Sequence, residues 1–141
     1  MDPPAQPAGY AFSIWGLIFV MQGIWTGVQV SVPRYRNHPA VVVGVRYTYL
    51  WACLAQAGWT VAFCYEVIWL SLVFMLSILA ALWWLHSNLQ TKLVPPQRYT
   101  WKGWLLWQFP FSLHLGWIVA ASAVNVNVVA VAADATAVAQ L

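Results

Sequence analysis

Charge is what this sequence has least of. Nine of its 141 residues are ionised at neutral pH: Asp2, Glu66 and Asp134 against Arg34, Arg36, Arg46, Lys92, Arg98 and Lys102. A soluble domain of this length carries roughly 35. So few charges cannot clothe a water-facing globule, which excludes a soluble enzyme and a disordered tail. A nucleic-acid binder is excluded too, because its basic patch needs far more lysine and arginine. Cysteine is nearly as scarce. Cys53 and Cys64 fall eleven positions apart in one apolar run, about 16 Å along a helix, beyond the reach of a disulfide. No CxxC or Cys/His zinc spacing is present, and both read as buried free thiols. A phosphate-cradling glycine loop and a nucleophile–base pair are also missing, and Glu66 is the one acid outside the tails, so no enzyme is expected.

What the sequence has is hydrocarbon. It is 62% hydrophobic and holds eleven tryptophans. Crossing a bilayer takes about 20 mainly apolar residues. A first span fits 10–32, closed by Pro33-Arg34-Tyr35-Arg36. The run from Val43 to His86 has 44 residues and would reach about 66 Å as one helix, twice the hydrocarbon core. It must fold back, and Glu66 marks the turn between spans at 43–64 and 67–86. Pro95-Pro96 interrupts the polar stretch that follows. A last span fits 110–133, with Pro110 in its first turn. The expectation is an all-α bundle of four transmembrane helices forming a single domain over 1–141.

Four spans sort the charges. All three acids fall on the face shared by the termini and the Glu66 turn, and all six bases on the other, Arg46 by snorkelling. The positive-inside rule then places the basic loops on the cytoplasmic, stromal or matrix side and the termini opposite. A signal peptide is the competing reading of the first span, but it lacks a basic n-region and its apolar run is too long.

Helical spacing assigns faces. Trp15, Gln22, Thr26 and Gln29 share a stripe of the first helix that is too polar for lipid. Gly16, Gly23 and Gly27 form a neighbouring strip, with Gly23/Gly27 a GxxxG pair suited to close helix packing, inside the chain or against another. The second helix aligns Tyr49, Cys53, Gln56, Thr60 and Phe63. The last aligns small residues (Gly116, Ala120, Ala123, Asn127, Ala130) on one face and His114, Trp117, Ala121 and Asn125 on another. Trp83, Trp84, Trp101, Trp104 and Trp107 suit an interfacial belt. Trp15, Trp25, Trp51, Trp59 and Trp117 sit deeper, as core or as the wall of a pocket. His86 and His114 are structural imidazoles or ligands to the metal of a haem or chlorophyll. Leu93 to Lys102 fits the loose cholesterol pattern around Tyr99.

The segment Pro7-Ala8-Gly9-Tyr10-Ala11-Phe12-Ser13-Ile14-Trp15, with Gly23 at the family spacing, resembles the tryptophan-rich sensory protein (translocator protein, TspO) family. So does Pro110-Phe111-Ser112-Leu113 followed by Trp117, Ala121 and Asn125. The segment before Trp15 is one residue shorter than the family form, and the gap from Pro110 to Trp117 is three longer. The resemblance covers nearly the whole chain. It implies a helical bundle that binds porphyrins, sterols or drug-like aromatics, with Trp15, Ala121 and Asn125 at or near the pocket and Gln22 and Trp117 beside it. The family has five helices, and its first precedes the proline–glycine motif. Here six residues precede Pro7, so the expected bundle lacks one wall. Two functions are therefore expected of a non-enzymatic membrane protein. One is an accessory subunit of a larger assembly in a thylakoid, mitochondrial inner or bacterial inner membrane, contacting the bilayer and other subunits and holding chlorophyll, another tetrapyrrole or a lipid. The other is an autonomous tetrapyrrole or sterol binder acting as sensor or transporter. No metal site and no nucleic-acid partner are expected.

Overall fold

A computed structural model describes residues 13–92 and 100–138, and every described regular element is helical. Helix α1 spans Ser13–Ser31 and a single turn, α2, follows at Pro33–Arg36. A π-helical turn at Ala40–Val45 leads into α3, Thr48–Cys64. Helix α4 covers Ile68–Lys92, a short α5 covers Trp101–Trp107, and α6 runs over Phe109–Val138.

Among the described residues, three helices are long and apolar enough to cross a membrane: α1, α4, and α6 over Phe109–Ala132. The segment expected to form the fourth span is helical, as α3, but falls short of a span: it reaches only 17 residues, about 25 Å against a hydrocarbon core of about 30 Å. It starts at Thr48 rather than 43 because the chain leaves the π-helical turn through Arg46, whose φ of 47° breaks the helix. Helix α4, conversely, continues six residues beyond 86. Ser87–Lys92 is polar but contains neither glycine nor proline, so nothing in it ends a helix. The fold-back at Glu66 is as expected. Its φ is 58°, and Val67 N–H caps α3 by donating to Ala62 O at 2.9 Å. Pro95-Pro96, Arg98 and most of the Leu93–Lys102 pattern lie outside the described residues.

Helix α4 is the central post, with α3, α6 and the π-helical turn packed around it. The α3–α4 seam is made of small side chains: Ala52, Ala55 and Ala62 are buried, and Gly58 lies against the ring of Phe74. Such residues let helix backbones approach closely. One core cluster joins Ala52 and Ala55 to Met75, Ile78, Leu82, Leu115 and Ile118. A second, at the basic end, joins Trp25, Val45, Leu85, Leu89, Trp107 and Phe111. Helix α1 meets α3 through rings rather than backbone. Trp25 packs on Tyr49 at 5.4 Å and Trp15 on Trp59 at 6.3 Å. The partners are ten residues apart on each helix and run in opposite order, so the two helices are antiparallel.

The glycine strips do not serve intramolecular packing among the described residues. A methyl group built on Gly16, Gly23, Gly27 or Gly116 meets nothing within 4 Å. Ala120, Ala123 and Asn127 are likewise exposed. The glycines that do admit a close neighbour are Gly58 and Gly44, the latter against Leu89.

Candidate functional site

Three helices converge on a buried polar chain. Tyr49 of α3 donates its hydroxyl to Gln22 Oε1 at 3.3 Å, and Gln22 Nε2 donates to His114 Nδ1 of α6 at 2.8 Å. Gln22 and His114 are both buried, which repays the cost of two amide and imidazole groups in an apolar interior. With Gln22 Nε2 as donor, the His114 ring accepts at Nδ1 and carries its proton on Nε2. His86 lies elsewhere, with Nδ1 3.4 Å from Ser112 Oγ on the α4–α6 seam. The two histidines do not face one site, and no group of metal-ligating side chains occurs among the described residues.

Around His114 the aromatic side chains close on one another. Trp15 stands edge-on to His114 at 5.8 Å and to Trp117 at 6.1 Å, and it stacks on Trp59. The indole nitrogens of Trp59 and Trp117 and His114 Nε2 are buried without a hydrogen-bond partner. Trp15, Gln22 and Trp117 are thus brought together around His114 in a filled cluster rather than an open chamber.

Open space lies further along the same seam. Trp59 stacks on Phe63 at 5.2 Å, and Phe63 forms the wall of a cleft of about 450 Å³ shared with Cys64, Glu66, Ile68, Ser71, Asn125 and Val128. Trp117, Ala121 and Asn125 succeed one another at four-residue steps on α6, so one helix face links the tryptophan cluster to the cleft. Asn125 is 7% exposed and its Oδ1 has no partner. Ser71 is buried and donates its hydroxyl to Ile68 O at 2.7 Å. Of the expected ligand residues, Asn125 lines the cleft and Ala121 packs beside the tryptophan cluster.

This tryptophan-and-asparagine seam repeats the order of the last-helix motif, and the match extends over the rest of the sequence. The model of the TSPO-like protein family matches residues 3–140. The chain belongs to that family. Searches of curated proteins and of solved structures found no match for this TSPO-like protein. The first half of its N-terminal motif, Pro7–Phe12, lies outside the described residues, whereas Trp15 is fixed by three aromatic neighbours.

Sequence reasoning missed His38. It stacks face to face on Trp107 at 4.3 Å and 5°, and its Nδ1 accepts the Ala40 N–H at 3.2 Å. Burial holds its pKa below the ordinary imidazole value. His38 lies four positions after Arg34 in a basic loop, which gave no sign that the ring packs inward.

Proposed function

We propose that this TSPO-like protein is a non-catalytic membrane protein that holds a flat, largely apolar ligand, a sterol-like ring or one edge of a tetrapyrrole, in the α3–α6 cleft. The observation that carries this reading is the Asn125 amide oxygen, buried and unpartnered on the wall of a space within the usual range for drug-sized ligands. A polar atom of this kind orients a ligand among apolar walls, here Phe63, Ile68 and Val128. The non-catalytic part of the reading is supported by the histidines. Cys64 and Ser71 line the cleft, but the rings that would activate them are engaged with Gln22, Ser112 and Ala40.

Helix α3 is taken here as a fourth crossing. Its ring contacts keep step with α1 over ten residues, about 15 Å of depth. Its two ends carry opposite charge, Arg46 and Glu66. With the positive-inside rule, this reading puts the basic loops on the cytoplasmic, stromal or matrix side.

A second role, accessory subunit of a larger assembly in an energy-transducing membrane, is favoured by the open space over Gly16, Gly23, Gly27 and Gly116 and by the exposed amide of Asn127. The ligand reading is tested by titrating protoporphyrin and a sterol into the purified chain and following tryptophan fluorescence. Saturable quenching is expected, weakened about tenfold in Asn125→Leu, the loss of one buried hydrogen bond. Non-saturating quenching, or equal binding by the variant, removes the proposal.

A further inference from the structure

A second, smaller recess of about 260 Å³ opens at the other end of the bundle, between the start of α3 and the end of α4. It is lined by Arg46, Tyr47, Thr48, Trp84, Asn88 and Lys92. Three observations set it apart from an ordinary polar rim. Arg46 and Lys92 come from different elements and converge on one recess with no described acid beside them. Glu66, the one acid whose side chain is described, lies beyond the far end of α3, about 27 Å away along the axis. Asn88 is 8% exposed, lines the recess, and makes no side-chain hydrogen bond among the described residues. Arg46 adopts a φ of 47°, a region that non-glycine residues rarely occupy, and the π-helical turn holds it there through Arg46 N–H donating to Val41 O at 2.8 Å.

The geometry points to a binding site here for the anionic phosphodiester headgroup of a membrane lipid. Arg46 and Lys92 are exposed and have no described counter-ion, so they favour a negative partner from outside, and at this depth the abundant candidates are lipid phosphates. The remaining lining groups suit that ligand. The Asn88 amide and the Tyr47 and Thr48 hydroxyls donate to phosphate or glycerol oxygens. The start of α3, a helix of 17 residues, borders the recess through Tyr47 and Thr48, and the positive end of its dipole favours an anion nearby. Trp84 is exposed and interfacial, and its ring packs along the upper acyl chain. A zwitterionic headgroup brings its own ammonium toward Arg46 and Lys92 and is disfavoured. This site shares no residue with the α3–α6 cleft and stands independently of it.

The test uses the full chain in detergent, offered equimolar phosphatidylglycerol and phosphatidylcholine, with retained lipid counted by native mass spectrometry. A preference of about tenfold for phosphatidylglycerol is expected from two basic contacts. The Arg46→Gln/Lys92→Gln variant should bring it near one, while Lys92→Arg retains it and Arg34→Gln/Arg36→Gln leaves it unchanged. Circular dichroism of each variant confirms the fold. Equal retention of the two lipids by the unaltered chain overturns the proposal, and so does a preference that survives the Arg46/Lys92 variant. A third arm adds millimolar inorganic phosphate. Retained phosphatidylglycerol should be unaffected, and its displacement would assign the recess to free phosphate instead of lipid.

Discussion

At the scale of single residues, the polar side chains are decided by what they touch. Gln22 is tolerable inside an apolar bundle because Tyr49 and His114 satisfy its amide from two other helices. His38 is held neutral in a related way. Its Nδ1 lone pair is occupied by the Ala40 N–H and its face by Trp107, so protonation breaks a hydrogen bond and charges a partly desolvated ring. The unfolded chain has the ordinary imidazole pKa of about 6.5, and the folded chain a lower one. Below about 6.5 the unfolded state therefore takes up a proton first, and stability falls with pH until the folded ring also titrates. Melting temperature should drop as pH is lowered from 7.5 to 5.5, and the drop should be smaller in His38→Gln. A variant with an unchanged pH slope would show that the other histidines dominate.

At the scale of elements, the seams around α4 are where size matters. A methyl group on Gly44 would lie 2.6 Å from Leu89 Cδ2, and one on Gly58 would lie 2.7 Å from the Phe74 ring. Leu89 is fully buried and has nowhere to move. Gly44→Ala should cost about 1–3 kcal/mol by overpacking. Gly23→Ala meets open space and should gain about 0.5–1 kcal/mol in the isolated chain from helix propensity alone. Thermal unfolding in detergent separates the two. A destabilised Gly23→Ala would mean that its strip is already packed against another copy. The same contrast explains what sequence pattern conveyed. The turn at Glu66 was legible because one acid interrupts 44 apolar residues, and α1 and α6 because proline and basic residues bound them. The small-residue seam of Ala52, Ala55, Gly58 and Ala62 was not. When lipid and protein interior are both apolar, an inward face carries no polarity contrast to reveal it. Periodicity aligned Trp117, Ala121 and Asn125 correctly, yet only coordinates separate the filled tryptophan cluster from the cleft beside it.

Over the whole molecule, the described charges lie at opposite ends: Glu66 beside the larger cleft, Arg46 and Lys92 around the smaller recess. With α3 as a crossing, Cys64 and Asn37 lie on opposite sides of the bilayer. In a Cys53→Ser background, a membrane-impermeant maleimide applied to sealed right-side-out vesicles should label Cys64. It should label an Asn37→Cys variant lacking Cys64 only after permeabilisation. Labelling of both from one side would show that α3 returns without crossing.

The tight turn at Glu66 also bears on how the chain enters a membrane. Three residues, 65–67, separate α3 from α4, too few for either helix to partition while the other stays in water. If α3 crosses, as proposed, the pair inserts as a hairpin, its free energy of transfer shared. Helix α3, at 17 residues and carrying Gln56 and Thr60, is a poor insertion signal alone, whereas α4 is long and holds a strongly apolar stretch before its polar end. In that arrangement the longer helix carries the shorter one into the bilayer, and α3 can keep the small, weakly hydrophobic residues that its contact with α4 demands.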